Sequence, residues 1–333
     1  MASRRQTLRI AVGVLVTSTF GLLRMGRVAA QTTQSAHRVE VLLVGFSPNS
    51  VEVQKFQQGM RDAGYIEGRD LIVEVHSAEG NYDAITPLVA NALSRKPDLL
   101  VVENTLAVRA AKNATTTIPI VIAVAADPLG SGLVSSMARP GGNITGMSMM
   151  ITELAAKRFQ LLREAMPQLK RLGILRDASV PWHPATSAQL VELARVSGVE
   201  PIVVEAHTSS EVRKAISTLA KKKTQALYVL DNAFFSLQQA EILQLCAELR
   251  IAVTYGSRGW ATNGALFSYS ADFGEMFRRA ARYADKILRG ANPGDLPIEQ
   301  PTEFDLIVNL RTARTLGLTI PQSLLVQATE VVR

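Results

Sequence analysis

The 333-residue chain is longer than one ordinary domain and long enough for two lobes with separate cores, and 47% hydrophobic with 20% charged residues excludes disorder over most of its length. A formal charge of +7 would suit a nucleic-acid or anionic-membrane partner if it were spread over a folded surface. Five of those charges sit on Arg4, Arg5, Arg9, Arg24 and Arg27, in a stretch without an acid, and the remaining charge of about +2 predicts no basic footprint and no nucleic-acid partner.

That basic stretch frames an apolar run from Ile10 to Leu23, and Val28-Ala29-Ala30 supplies the small residues a signal peptidase needs before Gln31. Residues 1–30 therefore read as a cleaved export signal leading to the periplasm, since roughly 14 apolar residues fall short of the ~20 that span a bilayer. Ser3-Arg4-Arg5-Gln6-Thr7-Leu8-Arg9 is similar to a twin-arginine leader, although Thr7 stands where an aromatic is preferred, which leaves the export route open. Residues 31–37 read as a flexible mature N-terminus.

From Arg38 the chain alternates short apolar strands with helices of ten or more residues. Val39–Val44 reads as a strand, Val51–Ala63 as a helix stopped by Gly64, and Leu71–Val75 as a strand. Ala84–Arg95 follows as a helix, Leu99–Val102 as a strand, Ala107–Thr115 as a helix and Ile120–Val124 as a strand. Fully apolar strands between helices predict a parallel sheet covered on both faces. The pattern then repeats. Strands open at Arg171, Pro201, Ala226 and Ile251, with helices over Ala185–Ser197, Ser210–Lys221 and Leu237–Leu249. The offset of about 130 residues is far beyond solenoid periods, so a whole α/β lobe is duplicated. Beyond the repeat come a strand at Ala265–Ser270, a helix Phe273–Leu288, a strand Phe304–Asn309 and a last helical segment from Leu324. This predicts lobe one as residues 38–148 plus 266–300 and lobe two as 149–265 plus 301–333. The chain would cross between them near Thr145–Ile151, Asn263–Ser268 and Gln300–Phe304.

In doubly wound sheets ligands sit beyond the carboxyl ends of the strands. The candidates there are Ser47, Asn104, Thr105 and Asp127 in lobe one, Asp177, Asp231, Asn232 and Tyr255 in lobe two, and Tyr269 on the strand that returns to lobe one. Any one of the Ser, Asn and Asp residues could simply cap the next helix; their joint placement in both lobes points to a cleft. Phe46, Trp182, Phe234 and Trp260 add aromatic surface near the same strand ends, as a mostly apolar ligand site requires. Gly130-Ser131-Gly132, ahead of a helix predicted over Leu133–Ala138, could hold an anion such as a ligand carboxylate, with Asp127 facing an ammonium.

Enzyme readings find little support. The four histidines, His37, His76, His183 and His207, have no zinc spacing, no nucleophile elbow or phosphate loop is present, and no cofactor or metal is expected. The only cysteine, Cys246, lies in an apolar helical stretch and reads as a buried thiol.

Three strings carry a family resemblance: Phe56-Gln57-Gln58-Gly59-Met60-Arg61-Asp62-Ala63-Gly64-Tyr65-Ile66-Glu67-Gly68; Ala126–Val134 with Ala138–Gly146; and Leu316-Gly317-Leu318-Thr319-Ile320-Pro321-Gln322-Ser323-Leu324-Leu325. They resemble ABC transporter substrate-binding proteins of the tryptophan/tyrosine-type group, over nearly all of the chain after the leader. The resemblance implies a type I periplasmic-binding fold of two Rossmann-like lobes with a hinge of three crossovers. It also implies a small organic ligand, often an aromatic amino acid, a permease partner at the inner membrane and a monomer that is not an enzyme. A periplasmic ligand-sensing receptor subunit for a signalling partner is the alternative. After the third strand the family often has a small residue and a proline, whereas this chain has Glu103-Asn104-Thr105. Arg176–Trp182 likewise departs from an Asn/Pro-rich turn, so the ligand does not transfer with the fold.

Overall fold

The computed structural model describes residues 36–333; the export signal expected over residues 1–30 and most of the segment expected to follow it lie outside the described residues. In chain order the first half comprises β1 (His37–Leu43), α1 (Val51–Asp62), β2 (Leu71–Ser77), α2 (Ile85–Ser94), β3 (Leu99–Glu103), α3 (Thr105–Ala114), β4 (Ile120–Val124) and β5 (Ile144–Gly146). Its five strands are all parallel, in the order β2-β1-β3-β4-β5. Every residue of β3 and β4 is buried, because helices cover both faces and no alternation of polar side chains is needed.

The chain leaves through α4 (Ile151–Ala165) and builds the second sheet: β6 (Arg171–Arg176), α5 (His183–Val196), β7 (Glu200–Glu205), α6 (Ser209–Lys221), β8 (Ala226–Val229), α7 (Ala233–Leu237), α8 (Gln239–Glu248), β9 (Ala252–Tyr255), α9 (Arg258–Thr262) and β10 (Phe267–Ala271). After α10 (Phe273–Leu288) follow β11 (Phe304–Asn309), α11 (Leu310–Leu316), α12 (Gln322–Gln327) and β12 (Glu330–Val332). The order β12-β11-β10-β9-β8-β6-β7 repeats, within its last five strands, the 2-1-3-4-5 winding of the first sheet. The duplication visible in the apolar pattern is thus a duplication of topology.

Three local readings need correction. The strand ending in Tyr269 belongs to the second sheet, not to lobe one: β10 pairs in parallel with β9 (Phe267↔Thr254) and antiparallel with β11 (Phe267↔Val308). The second crossover therefore falls at Ala271–Asp272, not at 263–268, and lobe one is re-entered by α10, which Asp272 caps by accepting from Glu275 N at 2.9 Å. No helix forms over 133–138; Leu133 and Val134 are buried in an irregular segment, so the glycines at 130 and 132 precede no helix dipole. Finally, β5, α11 and β12 are short elements that periodicity did not reveal.

Helix α10 completes lobe one by laying Met276, Phe277, Ala280, Ala281, Ala284 and Ile287 against the sheet and α1. The approach to α1 is close because Gly59 has no side chain: a Cβ there would stand 2.6 Å from Ala281 Cβ. The first and third crossovers run side by side, with Met147 bridged to Glu299, Ser148 N donating to Glu299 O at 2.8 Å and Glu299 N to Gly146 O at 2.9 Å. Helix α4 straddles both cores. Ile151 and Leu154 pack with lobe one, and Ala155, Phe159 and Leu162 with lobe two.

Candidate functional site

The reversal of strand order lies between β1 and β3 in one sheet and between β6 and β8 in the other, which is where a doubly wound sheet opens a crevice at its carboxyl edge. A cavity of about 100 Å³ occupies that place. Lobe one contributes Gly45 and Phe46 after β1, Glu103 to Thr105 at the end of β3, and Ala125 and Ala126 after β4; lobe two contributes Trp182, Asp231 to Ala233, and Tyr255 to Ser257. The crossovers contribute Met149, Ile151 and Phe273. The lobes touch beside it, where Ala233 N donates to Tyr82 Oη at 3.2 Å.

Five of the nine expected site residues are brought together. Asn104 lies in the left-handed half of backbone space (φ 88°), an uncommon place for a non-glycine residue, while its side chain caps α3 by accepting from Leu106 N at 2.8 Å. Thr105 Oγ1 accepts from Ala126 N at 3.0 Å and so ties the end of β3 to the end of β4. Tyr255, stacked on Trp260 at 4.1 Å, donates to Asn232 O at 2.8 Å and accepts from Asn232 N at 3.1 Å. Asn232 Oδ1 caps α7 through Phe235 N at 2.6 Å, and its Nδ2 is buried with no partner. Trp182 Nε1 is a second buried donor with no partner.

Asp231, the fifth, is held by a residue that strand-end reasoning missed. Arg158, 1% exposed, donates from Nη2 to Asp231 Oδ2 at 2.9 Å, and from Nε and Nη2 to Tyr269 O at 3.1 and 3.0 Å, while its guanidinium lies 5.2 Å from the Tyr228 ring centre. Burial works against the guanidinium charge, but the attraction of Asp231 and the neighbouring tyrosines outweighs it and lifts Arg158 above the ordinary arginine value. Asp231 Oδ1 takes Gly256 N at 2.8 Å. Any side chain at 256 would collide with this pair, since a Cβ would lie 2.3 Å from Arg158 Nη2. The sequence does carry a signal for Arg158: it falls among Leu154, Ala155, Phe159, Leu161 and Leu162, a cation on the buried face of a helix.

The other four expected residues lie outside the lining. Ser47 is exposed, and its hydroxyl accepts from Asn49 N. Asp127 closes its own turn by accepting from Gly130 N at 2.8 Å, and with no helix behind residues 130–132 the expected anion site has no dipole to draw on. Asp177 is buried and accepts from Ser179 N and Oγ at 3.0 and 2.6 Å. Tyr269 stacks on Phe304 at 5.9 Å and contributes its carbonyl to Arg158 rather than its ring to the cavity.

Glu103, at the strand end that also carries Asn104 and Thr105, is the second acid of the lining. Its Oε2 accepts from Val44 N at 2.7 Å and Gly45 N at 2.9 Å. Burial pushes its carboxyl above the ordinary range; the two amides pull the other way, and Glu52 adds repulsion. The lining thus offers acids, amides, hydroxyls and aromatic faces, and none of its residues is a histidine, cysteine, lysine or arginine.

Away from the cavity, Glu40, Glu74 and His76 gather on β1 and β2 with ligand atoms within 4.8 Å of one another, so His76 is less isolated than its spacing suggested. Arg38 and Arg95 lie among them, with Arg38 Nη1 2.8 Å from Glu74 Oε2 and Arg95 Nη1 2.9 Å from His76 Nε2. Two guanidinium groups already balance the two carboxylates, which makes the group an ion-pair network rather than a cation site.

A family model described as ABC transporter substrate binding protein matches residues 39–332. A "Tyrosine-binding protein" of Clostridioides difficile (strain R20291) is 27% identical over 263 residues, covering 79% of this chain and 75% of that protein. Among solved structures, a conserved domain protein from Vibrio cholerae is 27% identical at a TM-score of 0.80, covering 89% of this chain and 99% of the other. An ABC domain from Streptococcus pneumonia in complex with L-Trp is 22% identical at a TM-score of 0.83, covering 90% of this chain and 100% of the other.

Proposed function

The chain belongs to the ABC transporter substrate-binding protein family and has its two-lobed type I periplasmic-binding fold, and on that premise we propose that it captures a small organic molecule between its lobes for an importer. The observation that carries this reading is the cavity itself, built from the carboxyl edges of both sheets and from the crossovers, so that an occupant would touch every part that has to move. Aromatic amino acids and related compounds are the first candidates. Phe46, Trp182, Tyr255 and Phe273 offer ring faces, and the clostridial and streptococcal relatives are described with tyrosine and L-Trp.

A ring-bearing ligand also sets a mechanical requirement. About 100 Å³ is less than the ~150 Å³ that admits a benzene ring and well below the ~300 Å³ where ligand pockets begin. The lobes therefore separate to admit the ligand and close on it, and the ligand shifts that equilibrium by its greater affinity for the closed form. The loaded protein, exported to the periplasm as a monomer, docks on a permease; the function is binding, without catalysis.

The test is thermal unfolding of the mature protein against a panel of amino acids and small aromatic acids. A true ligand at 100 times its Kd stabilises by about 2.7 kcal/mol and raises the midpoint. Absence of stabilisation by every compound, together with turnover of one of them, would overturn the reading.

A further inference from the structure

The charge arrangement of the cavity is asymmetric. Asp231 is matched by Arg158, whose contacts with Asp231 and the Tyr269 carbonyl leave that guanidinium engaged within the protein. Among the described residues Glu103 has no such counterion. It is 7% exposed, the charged group that perturbs it is another acid, Glu52, and its hydrogen bonds are two backbone amides that both go to Oε2. Among the described residues, Oε1 has no hydrogen-bond partner, in a side chain that lines the cavity. A carboxyl with amides on one oxygen and no protein partner on the other, in a side chain that lines the cavity, leaves that second oxygen for a donor or cation that arrives with a ligand.

Resting on the binding function proposed above, we infer that Glu103 sets the charge class of the ligand: its free oxygen receives a basic nitrogen, so the cavity takes a cationic amine carried on an aromatic or apolar body. A zwitterionic amino acid qualifies, because Asn232 Nδ2 and Trp182 Nε1 are buried N–H donors without acceptors and can serve its carboxylate. An anion without an amine does not qualify. It would meet two acids and no cationic side chain in the lining.

The experiment compares tyramine, tyrosine, 4-hydroxyphenylpropionate and the neutral isostere 4-propylphenol by calorimetric titration, on the mature protein and on Glu103→Gln. The amide keeps an acceptor for Val44 N and Gly45 N, so the fold is retained, and unchanged circular dichroism of the apo variant verifies it. The natural chain should bind the two amines and favour tyramine over 4-propylphenol roughly 10- to 100-fold, as loss of a charge-assisted hydrogen bond implies. In Glu103→Gln that preference should collapse towards unity while 4-propylphenol binds as before. Stronger binding of 4-hydroxyphenylpropionate than of tyramine, or an unchanged preference in Glu103→Gln, overturns the role of Glu103 and leaves the binding function standing. Failure of all four compounds to bind overturns the assignment of an aromatic amine to this cavity, and the wider thermal-unfolding panel then decides the binding function separately.

Discussion

Replacing Arg158 by Met removes a fully buried charge with little change in side-chain length, and it leaves Asp231 facing the cavity without its cation. Breaking one partner of such a buried pair costs about 3–5 kcal/mol. Asp231→Asn strands the guanidinium instead and should cost a similar amount. The double variant Arg158→Met/Asp231→Asn strands neither. Its remaining loss is the pair of donors to Tyr269 O, at about 1 kcal/mol per hydrogen bond. Two single costs of 3–5 kcal/mol against a double cost of about 1–2 kcal/mol give a coupling of several kcal/mol, far outside the ~0.5 kcal/mol within which independent sites add. Urea unfolding of the four proteins measures it, with each effect read from the midpoint at constant slope. For a chain of this size each single variant should also melt about 6–10 °C lower. A double variant that costs the sum of the singles would refute the argument that the pair exists to neutralise Asp231.

Three further outcomes follow from local geometry. Gly146 sits at φ +126°, and a Cβ there would lie 2.3 Å from Ile122 O, so Gly146→Ala should cost at least ~1–3 kcal/mol from backbone strain alone, with displacement of β4 added; urea unfolding checks it. Burial holds His183 below its ordinary value of 6.5, with Nδ1 accepting from Asp177 N and Nε2 left to donate to Asp231 O. The stability this neutral ring allows is complete above pH 6.5 and is lost as pH falls towards the depressed folded value, so the natural chain should lose more stability between pH 7.5 and 5.5 than His183→Gln; equal slopes would contradict the assignment. Burial pushes the Cys246 thiol up to about 12, so a thiol-specific disulfide reagent at pH 8 should label the protein in urea and leave the native state unmodified over the same interval.

The two-lobed fold was legible because buried parallel strands are nearly pure Leu, Val and Ile, and because the pattern is written twice. The limits appear where tertiary context decides. Phe267–Ala271 looks like any short strand, and only its partners β9 and β11 place it in the second sheet. Leu133 and Val134 are apolar enough to suggest a helix, yet they fill lobe one from an irregular segment. Strand-end logic points to Asn104, Thr105, Asp231, Asn232 and Tyr255, which all lie in the cavity wall, since backbone topology fixes where those positions sit. Asp127 and Asp177 lie outside that wall because a short acid after a strand can bond its own turn equally well, and sequence does not show which use prevails. Arg158 was overlooked because it lies in the middle of α4, away from every strand end, and its meaning depends on a partner from elsewhere in the chain.

Met149, Ile151 and Phe273 belong both to the cavity wall and to the first two crossings of the chain. On the binding function proposed above, an occupant that presses on these three side chains would bear directly on the segments that join the lobes. Ligand bulk would then act on the lobe angle at its point of contact. Two molecules that satisfy the same polar groups but differ by one ring position would be expected to leave the lobes at different angles.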